Sequence, residues 1–319
     1  MERTLLLLTL ALLSLGTANC GAQGLFDANR KARQAFEAAY AAQKAGDLTK
    51  AIEGYKQTLE LDSGLYAANN NLGFIYTKQG KHTLAVTQFK KAVESAPEMP
   101  DHQANLAAAY LKLGMPDKAI ASLAEAIKLD PKNHSYQYNL ALAHEEKGDL
   151  AAATKAFTAA IKLKPEMADA HFQLGYLQER QGDNDAAIAS YRAATKLDDK
   201  HAHSHLNLGS LLLGKGEFVA AESTCARAVE LSPNDAVALT NLGYAYASQK
   251  KNEEAISVYQ KAIAADDAYA LAYKNLGVAL ANSGDKAGAI TAWEKAIVLD
   301  PKDNQIRENL EKLRGNSRK

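Results

Sequence analysis

The chain is 319 residues long, 47% hydrophobic and 23% charged, proportions that exclude a disordered chain and a multispan membrane protein. Its 37 basic and 37 acidic side chains cancel to a formal charge of zero, which argues against a generic nucleic-acid binder. Two cysteines exclude a disulfide framework and a multi-cysteine zinc site.

Residues 1–22 read as a secretory signal peptide. The apolar run from Leu5 to Leu15 is too short for a bilayer-spanning helix, which needs about 20 residues, and small residues follow it. Cleavage after Ala18 would use Gly16 and Ala18 as the small recognition residues; cleavage after Ala22 would use Cys20 and Ala22. A third reading puts a lipid on Cys20, because Leu15-Gly16-Thr17-Ala18-Asn19-Cys20 resembles a bacterial lipobox, although Asn19 stands where Gly, Ala or Ser is usual. A further reading keeps the segment as an uncleaved membrane anchor, and all four stay open at this point. Residues 23–31 read as a linker.

From residue 32 a period of 34 governs the chain. Pro97, Pro131, Pro165, Pro233 and Pro301 are spaced by one or two periods. Ala51, Ala85, Ala119, Ala153, Ala187, Ala221, Ala255 and Ala289 form an unbroken series. Gly46, Gly80, Gly114, Gly148, Gly182, Gly216 and Gly284 form another, interrupted only by Lys250. Eight repeats follow without insertion: 32–65, 66–99, 100–133, 134–167, 168–201, 202–235, 236–269 and 270–303.

Within a repeat the apolar spacing is helical. Tyr273, Leu276, Gly277 and Leu280 fall on one stripe, and Ala289, Ile290, Trp293, Ala296 and Ile297 on a second. The break at 283–285 lets Gly284 end the first helix in a left-handed conformation, and Asp300-Pro301 ends the second. Each repeat is therefore predicted to be two antiparallel helices, with small residues at the eighth, twentieth and twenty-seventh positions letting helices approach to about 8–10 Å. Beyond the repeats, residues 304–313 place Ile306, Leu310 and Leu313 on one face and read as a capping helix; 314–319 read as a flexible tail.

The pattern Leu-Gly-x-x-Tyr, Gly, Ala-x-x-x-(Phe/Tyr), Ala, Pro resembles the tetratricopeptide repeat (TPR). Repeat 66–99 has it nearly complete in Leu72, Gly73, Tyr76, Gly80, Ala85, Phe89, Ala92 and Pro97. The resemblance implies an all-α fold, a right-handed α-solenoid of eight helix-turn-helix TPR units plus the C-terminal capping helix, with the first helices lining a concave groove. Departures are local: Ala38-Ala39 replaces Leu-Gly in the first repeat, and Ser63, Asp199 and Asp267 stand where Pro is expected. One such pair cannot bury its own apolar face, so stability must come from stacking.

The second, fifth or sixth, ninth and thirteenth positions of each first helix share one side, the side that faces the groove in TPR proteins. The sixth position holds Asn71, Asn105, Asn139, Gln173, Asn207, Asn241 and Asn275. A carboxamide offers a donor and an acceptor, so this ladder can pair with the backbone of an extended peptide, or it can satisfy local groups instead. Tyr138, Leu142, Phe172, Tyr176 and Leu206 would add an apolar-aromatic stretch, with Phe74 and Tyr244 as outliers; these rings anchor a ligand or pack between first helices. Lys274 meets half the requirement of a TPR carboxylate clamp, but Val278 stands where its asparagine should be.

His171, His201, His203 and His205 invite a metal reading, but they straddle a helix start, and capping or core roles fit better. Cys225 reads as a buried, inert thiol. No nucleotide loop, nucleophile elbow or paired-carboxylate motif appears, so no enzyme, cofactor, metal site, nucleic acid or small-molecule substrate is expected. The reading is an exported scaffold that captures a protein or extended peptide, with membrane contact only through Cys20 if lipidated. The alternative is a structural or lipid-tethered, pilotin-like assembly factor of a cell envelope.

Overall fold

Each first helix is joined to its second helix by a turn of one repeated geometry. In the computed structural model, which describes residues 21–316, the seven glycines of the periodic series all take positive φ, from 64° to 96°. After the first helix of repeat one, Gly46 N–H bonds Gln43 O (3.1 Å) and Asp47 N–H bonds Ala42 O (3.0 Å), closing the helix end as a left-handed cap does. The second helix then opens on a side-chain cap. Asp47, Asp149, Asp183 and Asp285 accept from the backbone N–H three residues on, at 2.9–3.1 Å. Lys250, which breaks the glycine series, is forced into the same left-handed turn at φ 64°.

Second helices end on a residue that leaves the helical region: Lys164, for example, is extended at φ −142° and ψ 90°. Proline follows it in five repeats and enforces that conformation. Where proline is missing, Asp62, Asp198 and Asp266 accept from the N–H two residues on at 2.9–3.0 Å. The same Asx turn also forms at Asp300 beside Pro301 (3.1 Å), so it shapes the helix exit with or without proline, and Ser63, Asp199 and Asp267 are tolerated.

The first unit, through Pro131, holds α1 (Gly21–Lys44), α2 (Leu48–Leu61), α3 (Tyr66–Lys78), α4 (His82–Ser95), α5 (Pro100–Lys112) and α6 (Pro116–Leu129). The second, from Lys132, holds α7 (His134–Lys147), α8 (Leu150–Leu163), α9 (Ala168–Arg180), α10 (Asn184–Leu197), α11 (Ala202–Gly214), α12 (Phe218–Leu231), α13 (Ala236–Ser248), α14 (Asn252–Ala265), α15 (Ala270–Ser283), α16 (Lys286–Leu299) and α17 (Asn304–Asn316). Within each unit the helices pair as consecutive hairpins and each hairpin stacks on the next. The fold is an all-α solenoid of eight helix pairs with a capping helix. Among the described residues no helix is long and apolar enough to cross a membrane.

The core repeats with the sequence. The twentieth-position alanines are fully buried. The eighth position faces the twenty-fourth across each hairpin. A Cβ added to Gly73 would lie 2.5 Å from the Phe89 ring, one on Gly243 2.5 Å from Tyr259, and one on Gly277 2.3 Å from Trp293 Nε1. Glycine is required there because the facing ring occupies the space. In α17, Ile306 and Leu310 are buried against Ala289, Trp293 and Ala296, so the last hairpin is covered as expected.

Two boundaries move. Residues 23–31, read as a linker, are helical and form part of α1, since the stretch contains no proline to stop a helix running back from residue 44. Helix α17 runs three residues past Leu313, to Asn316. The reading of the segment up to Cys20 falls outside the described residues.

Candidate functional site

On the first helices several ninth positions are open, among them Phe74 at 44% exposed, Tyr176 at 39% and Tyr244 at 45%, whereas Leu142 and Val278 are half-buried. The sixth-position amides lie half-buried beside them, and they divide into two groups.

Four are bonded inside the stack. Asn71 donates from Nδ2 to the Tyr55 hydroxyl (2.9 Å), which donates to Gln43 Oε1 (2.6 Å). Asn207 donates to the Tyr191 hydroxyl (3.1 Å), which donates to Glu179 Oε2 (2.9 Å). Asn105 donates to Asn70 Oδ1 at 3.0 Å, and Gln173 is hydrogen-bonded to Tyr138. Burial pushes the Tyr55 hydroxyl up to about 12, with the Asn71 bond opposing. Burial raises Tyr191 as well, with Asn207 opposing and Glu179 reinforcing. Both phenols therefore stay neutral donors near neutral pH. The second group, Asn139, Asn241 and Asn275, has no hydrogen-bond partner among the described residues.

The aromatic stretch divides too. Tyr138 packs edge-on to Phe157 (centroids 5.3 Å apart, planes at 71°). Phe172 tilts against Tyr191 at 5.8 Å and against His201 at 4.8 Å. Phe74 meets Phe89 edge-on at 5.4 Å. Each ring meets the second helix of its own repeat, and Phe172 also packs on His201 and His203 at the start of the next first helix, so packing between first helices is present as well. Leu142 is half-buried against the cluster of Ala141, Phe157 and Leu174, and Leu206 sits half-buried beside Ala228 and Ala238. Tyr176 stays open, with the Arg180 guanidinium 5.6 Å from its ring centroid; Arg180 also lies 3.5 Å from Glu145 of the preceding first helix. Tyr244 stays open against the edge of Phe218.

Lys274 Nζ is bonded to Asp303 Oδ2 at 2.6 Å, which occupies the cation that a carboxylate clamp would need. His201 Nδ1 accepts from the Ser204 backbone N–H (3.2 Å) and so caps α11. Buried His205 places Nε2 3.1 Å from the Asp199 carbonyl oxygen. Among the described residues no group of three or more His, Cys, Asp or Glu side chains could hold a metal. Burial raises the Cys225 thiol to about 12, so it is not a thiolate at neutral pH.

Several clefts open near these helices. In the first unit, about 490 Å³ is lined by Ala32, Phe36, Leu65 and Ala67 with Arg33, Glu37 and Asp62; Arg33 and Glu37 pair with each other at 3.2 Å. In the second unit, about 220 Å³ between α13 and α15 is lined by Tyr244, Ala247, Ser248, Tyr259, Asn275, Val278 and Asn282. Sequence reading singled out Tyr244 and Asn275 but missed Tyr259 and Ala247. The signal available was the alanine at the twelfth position, where Gln43 and Glu179 stand in other repeats.

Family models described as tetratricopeptide repeat or TPR repeat match residues 64–132, 105–168, 146–198, 172–236, 224–257, 243–284 and 270–303. Among solved structures, the chain is similar to the C-terminal part of a TPR repeat-containing protein from Cytophaga hutchinsonii (19% identity, 75% of this chain and 98% of that one, TM-score 0.61). It is also similar to a tetratricopeptide repeat protein from Parabacteroides merdae (20% identity, 78% and 98%, TM-score 0.51). A third likeness is to YrrB, described as a TPR protein with an unusual peptide-binding site (24% identity, 58% and 95%, TM-score 0.53). At these identities the likenesses show the fold alone. A search of curated proteins finds no match. The matched models together cover residues 64 to 303 without a gap, and the chain belongs to the tetratricopeptide-repeat family.

Proposed function

We propose that the chain is a non-catalytic scaffold that captures an extended peptide on the exposed side of its first helices, principally in the second unit. The observation that carries this is the half-buried position of Asn139, Asn241 and Asn275, with amides unpaired among the described residues, alongside open Tyr176 and Tyr244. Successive first helices repeat at roughly 10 Å, and an extended strand advances ~3.3 Å per residue. Asn241 and Asn275, on successive first helices, would therefore meet ligand residues about three apart, and Asn139, three repeats earlier, would meet one about nine residues further along; each amide pairs with the ligand backbone while the tyrosines supply apolar area.

The bonded and unpaired amides give the test. Asn139→Ala and Asn241→Ala should each weaken capture of extended peptides by about three- to tenfold without moving the melting temperature. Asn207→Ala should lower the melting temperature, because it strips the Tyr191 hydroxyl of a partner. Peptide affinity unchanged in both Asn139→Ala and Asn241→Ala would favour a purely structural role.

We further propose that the scaffold works outside the cytoplasm. The support is the apolar run Leu5–Leu15 followed by small residues and Cys20. The mass of the N-terminal peptide of the protein purified from its host distinguishes cleavage after Ala18, cleavage after Ala22 and a lipid on Cys20; an intact Met1 would overturn export by this route.

A further inference from the structure

A hydrogen-bonded triad recurs along the stack. It joins the twelfth position of one repeat, the tyrosine at its twenty-fourth, and the asparagine at the sixth position of the next. Gln43–Tyr55–Asn71 and Glu179–Tyr191–Asn207 are both closed by two bonds. Tyr259 and Asn275 occupy the same two places at the junction of the seventh and eighth repeats, but the twelfth position there is Ala247, which offers no acceptor. Tyr259 is 1% exposed, yet its hydroxyl has no hydrogen-bond partner among the described residues, and neither has the Asn275 amide.

Instead of meeting each other, Tyr259 and Asn275 line the cleft of about 220 Å³, with the Tyr244 ring and Val278 adding apolar wall. Its lining residues carry no charge, and the neighbouring cation Lys274 is held by Asp303. A water's share of liquid volume is about 30 Å³, so a single bridging water does not fill this space. The Tyr259 ring is buried, but its hydroxyl opens on the cleft, so a ligand carbonyl exchanges for water there at little cost.

We propose that this open triad is the anchoring subsite for the peptide: it seats one uncharged apolar side chain, of the size of Leu, Met or Phe. The peptide bond beside that residue is read by the two unpaired groups. The Tyr259 hydroxyl donates to the ligand carbonyl, and Asn275 Oδ1 accepts from a ligand N–H. This assignment rests on the peptide-capturing reading above and gives it a location and a specificity. A charged side chain would be desolvated here without a counter-ion, so the subsite rejects Asp and Lys and its occupancy is insensitive to salt.

The test uses the full chain and fluorescein-labelled, C-terminally amidated peptides Ser-Gly-Ser-Xaa-Ser-Gly-Ser, read by fluorescence anisotropy. With Xaa as Leu, Met or Phe, binding should be roughly tenfold tighter than with Gly, Asp or Lys, and unchanged by added salt. Ala247→Gln restores the acceptor that Gln43 supplies in the first repeat; it should close the triad, fill the cleft and cost about tenfold in affinity with the helical signal intact. Tyr259→Phe keeps the ring and removes the hydroxyl, and should cost about threefold or more. Affinity independent of Xaa, or wild-type affinity in both variants, overturns the subsite. If those variants bind normally while Asn139→Ala and Asn241→Ala weaken binding, the groove stands and this subsite falls. If none of these peptides binds, both readings fall.

Discussion

The Asn207 amide reaches from the first helix of the sixth repeat to the Tyr191 hydroxyl on the second helix of the fifth, at 3.1 Å. Tyr191 in turn donates to Glu179 within its own repeat. One hydroxyl thus holds a hairpin closed and fastens the next hairpin to it. Tyr191→Phe keeps the buried ring and leaves Glu179 and Asn207 each short of a partner. The expected loss is about 1–2 kcal/mol, seen as a lower urea midpoint with an unchanged slope.

Lys250 pays for a conformation that seven glycines adopt freely. Its φ is 64°, and the turn's bonds are in place: Lys250 N–H to Ala247 O at 2.9 Å and Lys251 N–H to Tyr246 O at 3.0 Å. Only the backbone strain distinguishes this turn from the others. Lys250→Gly should therefore stabilise the protein by about 1 kcal/mol, measured as a raised denaturation midpoint. A lower midpoint would show that the Lys250 side chain contributes more than its φ costs.

Thr240 is 1% exposed and its hydroxyl has no hydrogen-bond partner among the described residues. Valine has the same shape without the polar atom. Thr240→Val should raise stability by about 1 kcal/mol, and calorimetry on the two proteins decides it.

His205 makes stability depend on pH. Burial lowers its basicity; the Asp199 carbonyl and carboxylate oppose that shift, while Arg227 and His201 reinforce it. The unfolded chain therefore takes up a proton before the folded one does as pH falls. The stability conferred by neutral, buried His205 is complete above the ordinary imidazole value of about 6.5 and is lost as pH drops below it. The urea midpoint should fall between pH 7 and pH 5. His205→Leu, which copies the leucine that Leu239 supplies at the same position one repeat later, should flatten that dependence.

The helix pairs were legible because each is announced by residues whose role is local. Pro97 and Gly80 fix backbone angles, and Gly73 is small because Phe89 fills its space; none of these depends on a neighbouring repeat. The candidate site was less legible because the state of each amide is decided elsewhere. Asn207 and Asn275 are the same residue at the same position, yet one is bonded and the other free. The difference lies in Glu179 against Ala247, twenty-eight positions upstream in each case. Tyr138 and Tyr176 both looked like anchors; Phe157 claims the first ring, while the second stays 39% exposed with only the Arg180 guanidinium near its face. Position within a repeat predicts which side of a helix a residue takes, but partner identity decides whether it is available.

The glycine-to-ring contact is satisfied inside a hairpin, whereas the hydroxyl-to-amide bond crosses from one hairpin to the next. A recombination event that copies a whole 34-residue module would preserve the former and gamble on the latter. Lengthening this array by duplication should therefore yield modules that fold but junctions that vary in grip. Grafts cut within the first helix, after the sixth-position asparagine, would keep tyrosine and asparagine together and transplant the junction intact.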